Sequence, residues 1–142
     1  MRVALAAAAL VIGSVTLVGQ LISTLDFALA QRLGLQEKSD RAAPLFSGLE
    51  LNTARWDVAV LWAVLPAAVL MLIEHSWWPW VALASGGVYL DAGGREIAKL
   101  LGLRAHGVAV GTSRELRLAL LYLTALSGIG AALIAYSLTV LA

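Results

Sequence analysis

Long runs of residues without a charge dominate this sequence and restrict the folds open to it. Residues 3–25 and 118–142 form runs of 23 and 25 residues that lack Asp, Glu, Lys and Arg. A helix needs roughly 20 apolar residues to cross a hydrocarbon core of about 30 Å. Only 13% of the chain is charged and 61% is hydrophobic, which is not typical of a soluble domain. The sequence therefore predicts an integral membrane protein.

Two further apolar segments lie between the terminal runs, so the sequence predicts four membrane helices in one domain, residues 1–142. We expect the spans at about residues 3–25, 56–74, 77–101 and 115–141, with a polar loop at 26–55. Pro66 removes a backbone donor from the second span and is expected to kink it. The predicted fold class is all-α: a polytopic membrane protein built as an antiparallel bundle of four transmembrane helices.

Capping signals and glycines predict where the helices begin and end. Ser47 with Glu50 has the spacing of a capping box, which indicates that the second helix starts before its apolar run. The same spacing recurs at Thr112 and Glu115, before the fourth helix. The connection before that helix is expected to contain three glycines: Gly102, Gly107 and Gly111.

The N-terminal run has a competing interpretation as a cleaved signal peptide. Arg2 gives it a basic start, and Ala28-Leu29-Ala30 has the small-x-small form of a cleavage site. The run is longer than a usual signal core, which favours a membrane span.

Basic residues are unevenly distributed over the connections. An even number of spans puts both termini on one side, together with a short turn that precedes three tryptophans typical of a membrane interface, Trp77, Trp78 and Trp80. That side carries Arg2 and the terminal amine. The other two connections carry Arg32, Lys38, Arg41, Arg55, Arg95, Lys99, Arg104, Arg114 and Arg117. By the positive-inside rule, both termini are expected outside the cytoplasm.

The third span contains the charges that most need an explanation. Asp91 lies roughly 20 Å along a helix that begins near Trp77, and Arg95 at i+4 can neutralise it. Glu96 and Lys99 are expected to reach the headgroups. Small residues, which favour close helix packing in lipid, form a stripe on each helix. The inward stripes are expected at Ala6, Ala9, Gly13, Thr16, Gln20 and Thr24; at Ala59, Ala63 and Ala67; at Gly87, Asp91, Gly94 and Ala98; and at Thr124, Gly128, Ala131 and Ala135.

Antiparallel packing brings four polar side chains into the same half of the membrane. We predict that Gln20, Asp57, Asp91 and Arg95 form the polar end of a site for a small lipophilic molecule. The competing interpretation is structural: Asp91 and Arg95 neutralise each other, Asp57 is solvated at the surface, and Gln20 joins two helices.

Several chemistries are absent from the sequence. There is no cysteine, which excludes disulfides and thiolate chemistry, and the two histidines are isolated, so we predict no metal site. No nucleotide-binding loop or nucleophile elbow is present. We therefore predict no cofactor and no catalytic residue, although proton transfer by Asp91 or Asp57 stays open. A net charge of +1 gives no reason to expect nucleic acid as a partner.

The segment Gly94-Arg95-Glu96-Ile97-Ala98-Lys99-Leu100-Leu101, followed by Gly107 and by Arg114-Glu115-Leu116, resembles the small four-helix bacterial membrane proteins grouped with DoxX. The resemblance covers roughly residues 50–140 and leaves out the charged segment at 31–47. It implies a four-helix bundle in a bacterial inner membrane.

Together these features predict a non-enzymatic inner-membrane protein. Its expected partners are the lipid bilayer, a small lipophilic ligand, and either another membrane protein, as an accessory subunit, or further copies of itself. One alternative is an isomerase acting on a sterol-like or isoprenoid substrate through carboxylate acid–base chemistry. The other is a transporter subunit, since four helices enclose a path only by rearranging or by assembling.

Overall fold

The structure, a computed structural model, describes all 142 residues and contains helices, turns and one isolated backbone bridge. The helices are α1 (Arg2–Leu25), α2 (Phe27–Arg32), α3 (Pro44–Val60), a 3₁₀ turn (Leu61–Ala63), α4 (Val64–Leu72), α5 (Trp78–Ala105) and α6 (Ser113–Leu141). The predicted all-α class is confirmed.

Three helical segments are long and apolar enough to cross a membrane. They are α1, the segment Pro44–Leu72 that contains α3 and α4, and α6. Helix α5 has 28 residues, but it is not among the segments with a membrane-spanning composition. From its middle to its C-terminus it contains Asp91, Arg95, Glu96, Lys99 and Arg104, which lower its hydropathy. The apolar composition thus supports a membrane protein with at least three candidate spans.

The segment Pro44–Leu72 is distorted near its middle, as its proline predicts. The 3₁₀ turn lies just before Pro66, whose ring displaces the carbonyl four residues earlier. Side chains of α5 donate to carbonyls in the distorted turn: the Ser85 hydroxyl to Ala63 at 2.9 Å, and the Tyr89 hydroxyl to Leu61 at 3.4 Å. The distortion therefore fixes α5 against this segment.

Helices α5 and α6 pack closely through glycines, but not through the stripes that we expected. A Cβ at Gly86 would lie 2.7 Å from the carbonyl oxygen of Gly130. A Cβ at Gly93 would lie 2.7 Å from the carbonyl oxygen of Leu123. The buried residues of α5 are Trp78, Pro79, Ala82, Ser85, Gly86, Tyr89, Ala92, Gly93, Glu96 and Leu100, and those of α6 are Leu116, Leu126, Gly130, Leu133 and Ser137.

The expected stripes on these two helices were wrong. All eight residues are exposed: Gly87, Asp91, Gly94, Ala98, Thr124, Gly128, Ala131 and Ala135. The physical reason is that each helix has small residues on more than one face, and close backbone approach occurs along only one of them. Of the stripe expected on the second helix, Ala67 is buried, Ala63 is half-buried and Ala59 is exposed.

Helix α1 packs as its stripe predicts, with Ala6, Ala9, Gly13 and Thr16 buried. Arg2, at its start, forms an ion pair with Glu74 in the turn between α4 and α5. At the same end, the ring of Trp78 stacks on that of Tyr136, with centroids 5.4 Å apart. Trp78 is thus buried, while Trp77 and Trp80 are exposed as interface residues would be.

The opposite end is closed by the two longer connections. A bridge joins Ala42 to Val110, and the Ala43 amide donates to the Ala109 carbonyl at 3.0 Å. The capping box of α6 is confirmed, because the Thr112 amide donates to Glu115 Oε2 at 2.7 Å and the Glu115 amide to Thr112 Oγ1 at 3.3 Å.

Two expectations about helix ends were wrong. Helix α3 begins at Pro44, before its apolar run as predicted, but Ser47 and Glu50 lie inside the helix and form no capping box. Ala43 gives no side-chain cap, and proline at the first helical position is preorganised for a helix start. Helix α5 continues through Gly102 to Ala105, and the chain leaves it at Gly107, whose φ of 75° suits glycine.

Candidate functional site

A cavity of about 450 Å³ lies between α1, α3, α5 and α6. Two hydrophobic clusters contribute to its lining. The larger cluster supplies Leu61, Ala92 and Leu126. The smaller supplies Phe46, Leu100, Val110 and Leu116. Residues 34–37, in the connection between α2 and α3, also line it. The cavity is therefore bounded by helices along its sides and by a polar connection at one end.

The polar connection is held in place by side-chain hydrogen bonds to the first two helices. Gln36 Nε2 donates to Ser23 Oγ at 3.2 Å, and Gln31 Nε2 donates to the Glu37 carbonyl at 2.6 Å. Ser23 in turn donates to the Gly19 carbonyl at 2.9 Å. These contacts fix residues 34–37 against the cavity.

Asp57 and Gln20 line this cavity, as two of the four predicted site residues. The Asp57 side chain is only 4% exposed, and its Oδ1 lies 3.5 Å from Arg95 Nη2. Gln20 Oε1 is buried and accepts no hydrogen bond. Asp57 is therefore not solvated at a surface, and Gln20 Oε1 has no partner in a neighbouring helix.

Asp91 and Arg95 do not line the cavity, contrary to the expectation that their face points inward. The Asp91 side chain is 67% exposed and that of Arg95 is 40% exposed. They lie at a separate depression of about 280 Å³ beside Trp56 and Gly87. Arg95 Nη1 lies 2.8 Å from Asp91 Oδ2. Arg95 thus bridges an outer carboxylate and the cavity carboxylate of Asp57.

Glu96, Glu50 and Lys99 form a largely buried ion network that sequence reasoning missed. Lys99 Nζ lies 2.6 Å from Glu50 Oε1 and also forms an ion pair with Glu96. The side chain of Lys99 is 18% exposed, that of Glu50 is 17% exposed and that of Glu96 is 11% exposed. Glu96 and Lys99 therefore do not extend to the headgroups as expected. Glu96 follows Tyr89 and Ala92 at helical spacing, and that pattern is the signal in the sequence that could have identified it.

A second group of carboxylates lies where the two connections meet. Glu37 and Glu115 both line the cavity, and Arg41 Nη1 lies 3.1 Å from Glu115 Oε1. Gly111 leaves room for Glu37, because a Cβ there would lie 2.5 Å from the Glu37 carboxyl carbon. Burial, and then repulsion by Glu115, raises the pKa of Glu37 to about 7.

The lining combines hydrogen-bonding groups with apolar surface. Besides the carboxylates it contains Thr16, Thr53 and Tyr122, and the Thr16 and Tyr122 hydroxyls hydrogen-bond to each other. No group of three or more His, Asp or Glu side chains is arranged to hold a metal ion. Of the two carboxylates considered for proton transfer, Asp57 alone lines the cavity. The arrangement is suited to binding a molecule with both a polar and an apolar part.

Comparisons with protein-family models, with curated proteins and with solved structures give no match to this chain. The resemblance to the DoxX group therefore stays a prediction, and the site has to be interpreted from its own geometry.

Proposed function

We propose that this chain is a four-span protein of a bacterial inner membrane that binds a small lipophilic molecule and catalyses no reaction, alone or as an accessory subunit of a membrane complex. The observation that carries the proposal is the cavity of about 450 Å³ between the four long helical segments. Its volume is within the range of ligand sites, which is about 300–1,000 Å³.

Four spans require α5 to cross the membrane despite its charges. Its 28 residues rise about 42 Å, which exceeds a hydrocarbon core of about 30 Å. The charges between residues 91 and 99 are paired: Asp91 with Arg95, and Lys99 with Glu50 and Glu96. Arg104 lies in the last turn of the helix and donates to the Ser113 hydroxyl. Pairing reduces the cost of charges near a membrane, and the Lys99 network lies towards the end of the helix, close to an interface.

The contacts at the helix ends support an antiparallel arrangement. The Arg2–Glu74 ion pair joins the start of α1 to the turn after α4, and the Trp78–Tyr136 stack brings the C-terminal part of α6 to the same end. Under the positive-inside rule this end is extracytoplasmic. The mouth of the cavity, with its carboxylates and the connection at 34–37, is then on the cytoplasmic side.

A blocking variant tests the proposal directly. Ala119 lines the cavity and is half-buried, so Ala119→Phe would place a ring in the ligand space. Ala131→Phe adds the same ring to an exposed position of the same helix and is the matched control. We expect native mass spectrometry of gently purified protein to show a bound small molecule in wild type and in Ala131→Phe, and its loss in Ala119→Phe. Equal occupancy in all three proteins, or none in wild type, would contradict a ligand in this cavity.

A further inference from the structure

The charged residues that line the cavity are all acidic. Its 25 lining residues include five carboxylates and no Lys, Arg or His. The five are Glu37, Glu50, Asp57, Glu96 and Glu115. The whole chain, in contrast, has a net charge of +1. Negative charge is thus concentrated in the cavity and is not a property of the protein as a whole.

The basic side chains near the cavity are too few to neutralise it. Lys99 is shared between Glu50 and Glu96, and Arg95 lies within ion-pair distance of Asp57, Glu96 and the outer Asp91. Arg41 contacts Glu115 and also lies 4.0 Å from Asp40. Glu37 has no basic side chain within ion-pair distance. Glu37 has a pKa of about 7 and is therefore partly uncharged at neutral pH. Even without it, three cations serve four lining carboxylates and two further acids outside the cavity.

Two acceptors at the cavity lack donors from the protein. Gln20 Oε1 is buried without a hydrogen bond. Asp57 is 4% exposed at its side chain and contacts Arg95 through Oδ1 only, so Oδ2 accepts no hydrogen bond. A buried acceptor without a donor, such as Gln20 Oε1, is costly. A ligand with N–H groups would supply the missing donors.

The other residues that line the cavity do not suit a bare metal ion. No three His, Asp or Glu side chains converge as metal ligands, and 13 of the lining residues are hydrophobic. Phe46 and Tyr122 add aromatic surface, which attracts cations as well as apolar groups. The chemistry that fits is a positive head on an apolar body.

We propose that the ligand of this cavity is a protonated organic amine with an apolar body, whose N–H groups donate to Asp57 and Gln20. This inference rests on the proposed function and specifies its ligand class. A quaternary ammonium head would satisfy the charge and leave both acceptors without a donor, so the proposal is specific to amines that carry hydrogen.

Three probes with one apolar body and different heads test the assignment. Phenylbutylamine is charged at neutral pH, as a lysine side chain is, whereas phenylbutanol is neutral and phenylbutyrate is anionic. We would measure binding of each to the full chain in detergent by titration calorimetry, with empty micelles subtracted. The amine is expected to bind about tenfold more tightly than the alcohol, which is the effect of one hydrogen bond to a charged group, and phenylbutyrate is expected to bind weakest.

Variants identify the groups that recognise the head. Asp57→Asn keeps the shape of the side chain. It is expected to weaken binding of phenylbutylamine about tenfold and to leave the affinity for phenylbutanol unchanged. Asp40→Asn removes a carboxylate whose side chain is 73% exposed and is the matched control, with no effect on either probe. Gln20→Met removes the other acceptor without removing a charge and is expected to weaken binding of phenylbutylamine several-fold. It tests the assignment even if Asp57→Asn does not fold.

The outcomes separate this inference from the proposed function. Equal binding of amine and alcohol, both lost in Ala119→Phe, would overturn the amine assignment and keep a ligand in the cavity. Tighter binding of phenylbutyrate, or an amine affinity unchanged in both Asp57→Asn and Gln20→Met, would also overturn it. If no probe binds and Ala119→Phe releases no co-purifying molecule, both proposals fail together.

Discussion

The position of a single carboxylate decides whether it is a candidate for binding or for neutralisation. Asp57 and Asp91 contact the same guanidinium, that of Arg95, yet one faces the cavity and the other the exterior. Asp91 has the geometry of an intrahelical pair at a partly exposed surface, where such pairs contribute little. The Asp57 side chain is buried at the cavity and contacts Arg95 through Oδ1 only, which leaves Oδ2 free to accept a hydrogen bond from a ligand.

The raised pKa of Glu37 predicts that the stability of the folded protein depends on pH. Burial and repulsion by Glu115 raise this pKa to about 7. Its ordinary value is 4.5, so the folded protein holds this proton more tightly than the unfolded chain. The contribution of Glu37 to stability is therefore fully present below about pH 4.5 and is lost as pH rises through about 7. Glu37→Gln, which cannot ionise, should unfold a few degrees higher than wild type at pH 8 and show little difference at pH 5.

Thermal unfolding in detergent at the two pH values measures this difference. Arg41, Glu50 and Glu115 also act on Glu37, so the comparison is between wild type and variant at each pH and not between pH values alone. The exposed Asp40→Asn serves as the control and should show no such pH-dependent gain. An equal shift for Glu37→Gln at both pH values would contradict a raised pKa.

Among the helices, α5 and α6 form the closest contact, and glycine makes it possible. Gly86 and Gly93 on α5 meet Gly130 and the backbone of α6 at distances that leave no room for a Cβ. Where small residues allow backbones to approach, helices in lipid gain packing and hydrogen bonding. The register of these helices in turn puts Ala92 and Glu96 against the cavity.

Adjacent glycines give a matched test of this packing. Gly93→Ala places a methyl group 2.7 Å from the Leu123 carbonyl oxygen, whereas Gly94→Ala enters open space on the outer face. We expect Gly93→Ala to destabilise the protein by about 1–3 kcal/mol, the usual cost of overpacking. Gly94→Ala should be neutral or stabilising, because alanine favours a helix by about 1 kcal/mol over glycine. Chemical denaturation in mixed micelles measures both, and equal stability of the two variants would contradict the contact.

The same glycines explain why sequence reasoning found the helices and missed two of their faces. Uncharged runs predict where the long helices lie, and the capping box at Thr112 predicts the start of α6, because both signals are local. The pairs Gly86-Gly87 and Gly93-Gly94 put small residues on adjacent faces of α5, so spacing alone cannot select between them. The choice depends on the partner helix, and so do the burial of Glu96 and the exposure of Asp91.

The candidate site was predictable to the same extent. Gln20 lies on the α1 stripe, whose inward face the sequence identified, and Asp57 precedes an apolar run. Glu50 was assigned to a helix cap, and only the start of α3 at Pro44 puts it inside the helix, within reach of Lys99. Glu37 lies in a connection whose path depends on two hydrogen bonds, from Gln31 to the Glu37 carbonyl and from the neighbouring Gln36 to Ser23, and no local pattern specifies either.

For the protein as a whole, the decisive property is the number of times the chain crosses the membrane. Three helical segments have a composition that suits a span, and α5 is the fourth only if its paired charges are tolerated. The two cases differ in one observable. With four spans, the turn at 74–76 and the connection at 106–112 lie on opposite sides; if α5 does not cross, they lie on the same side.

Because the chain has no cysteine, single introduced cysteines can report the side directly. Ser76 and His106 are exposed residues at the two ends of α5, so Ser76→Cys and His106→Cys should leave the packing unchanged. In spheroplasts of a bacterial host, a membrane-impermeant maleimide is expected to label Ser76→Cys. His106→Cys should react only after the membrane is disrupted, with the cysteine-free wild type as background. Labelling of both variants in intact spheroplasts, or of neither, would show that α5 does not cross, and the cavity would then be bounded by a helix outside the bilayer.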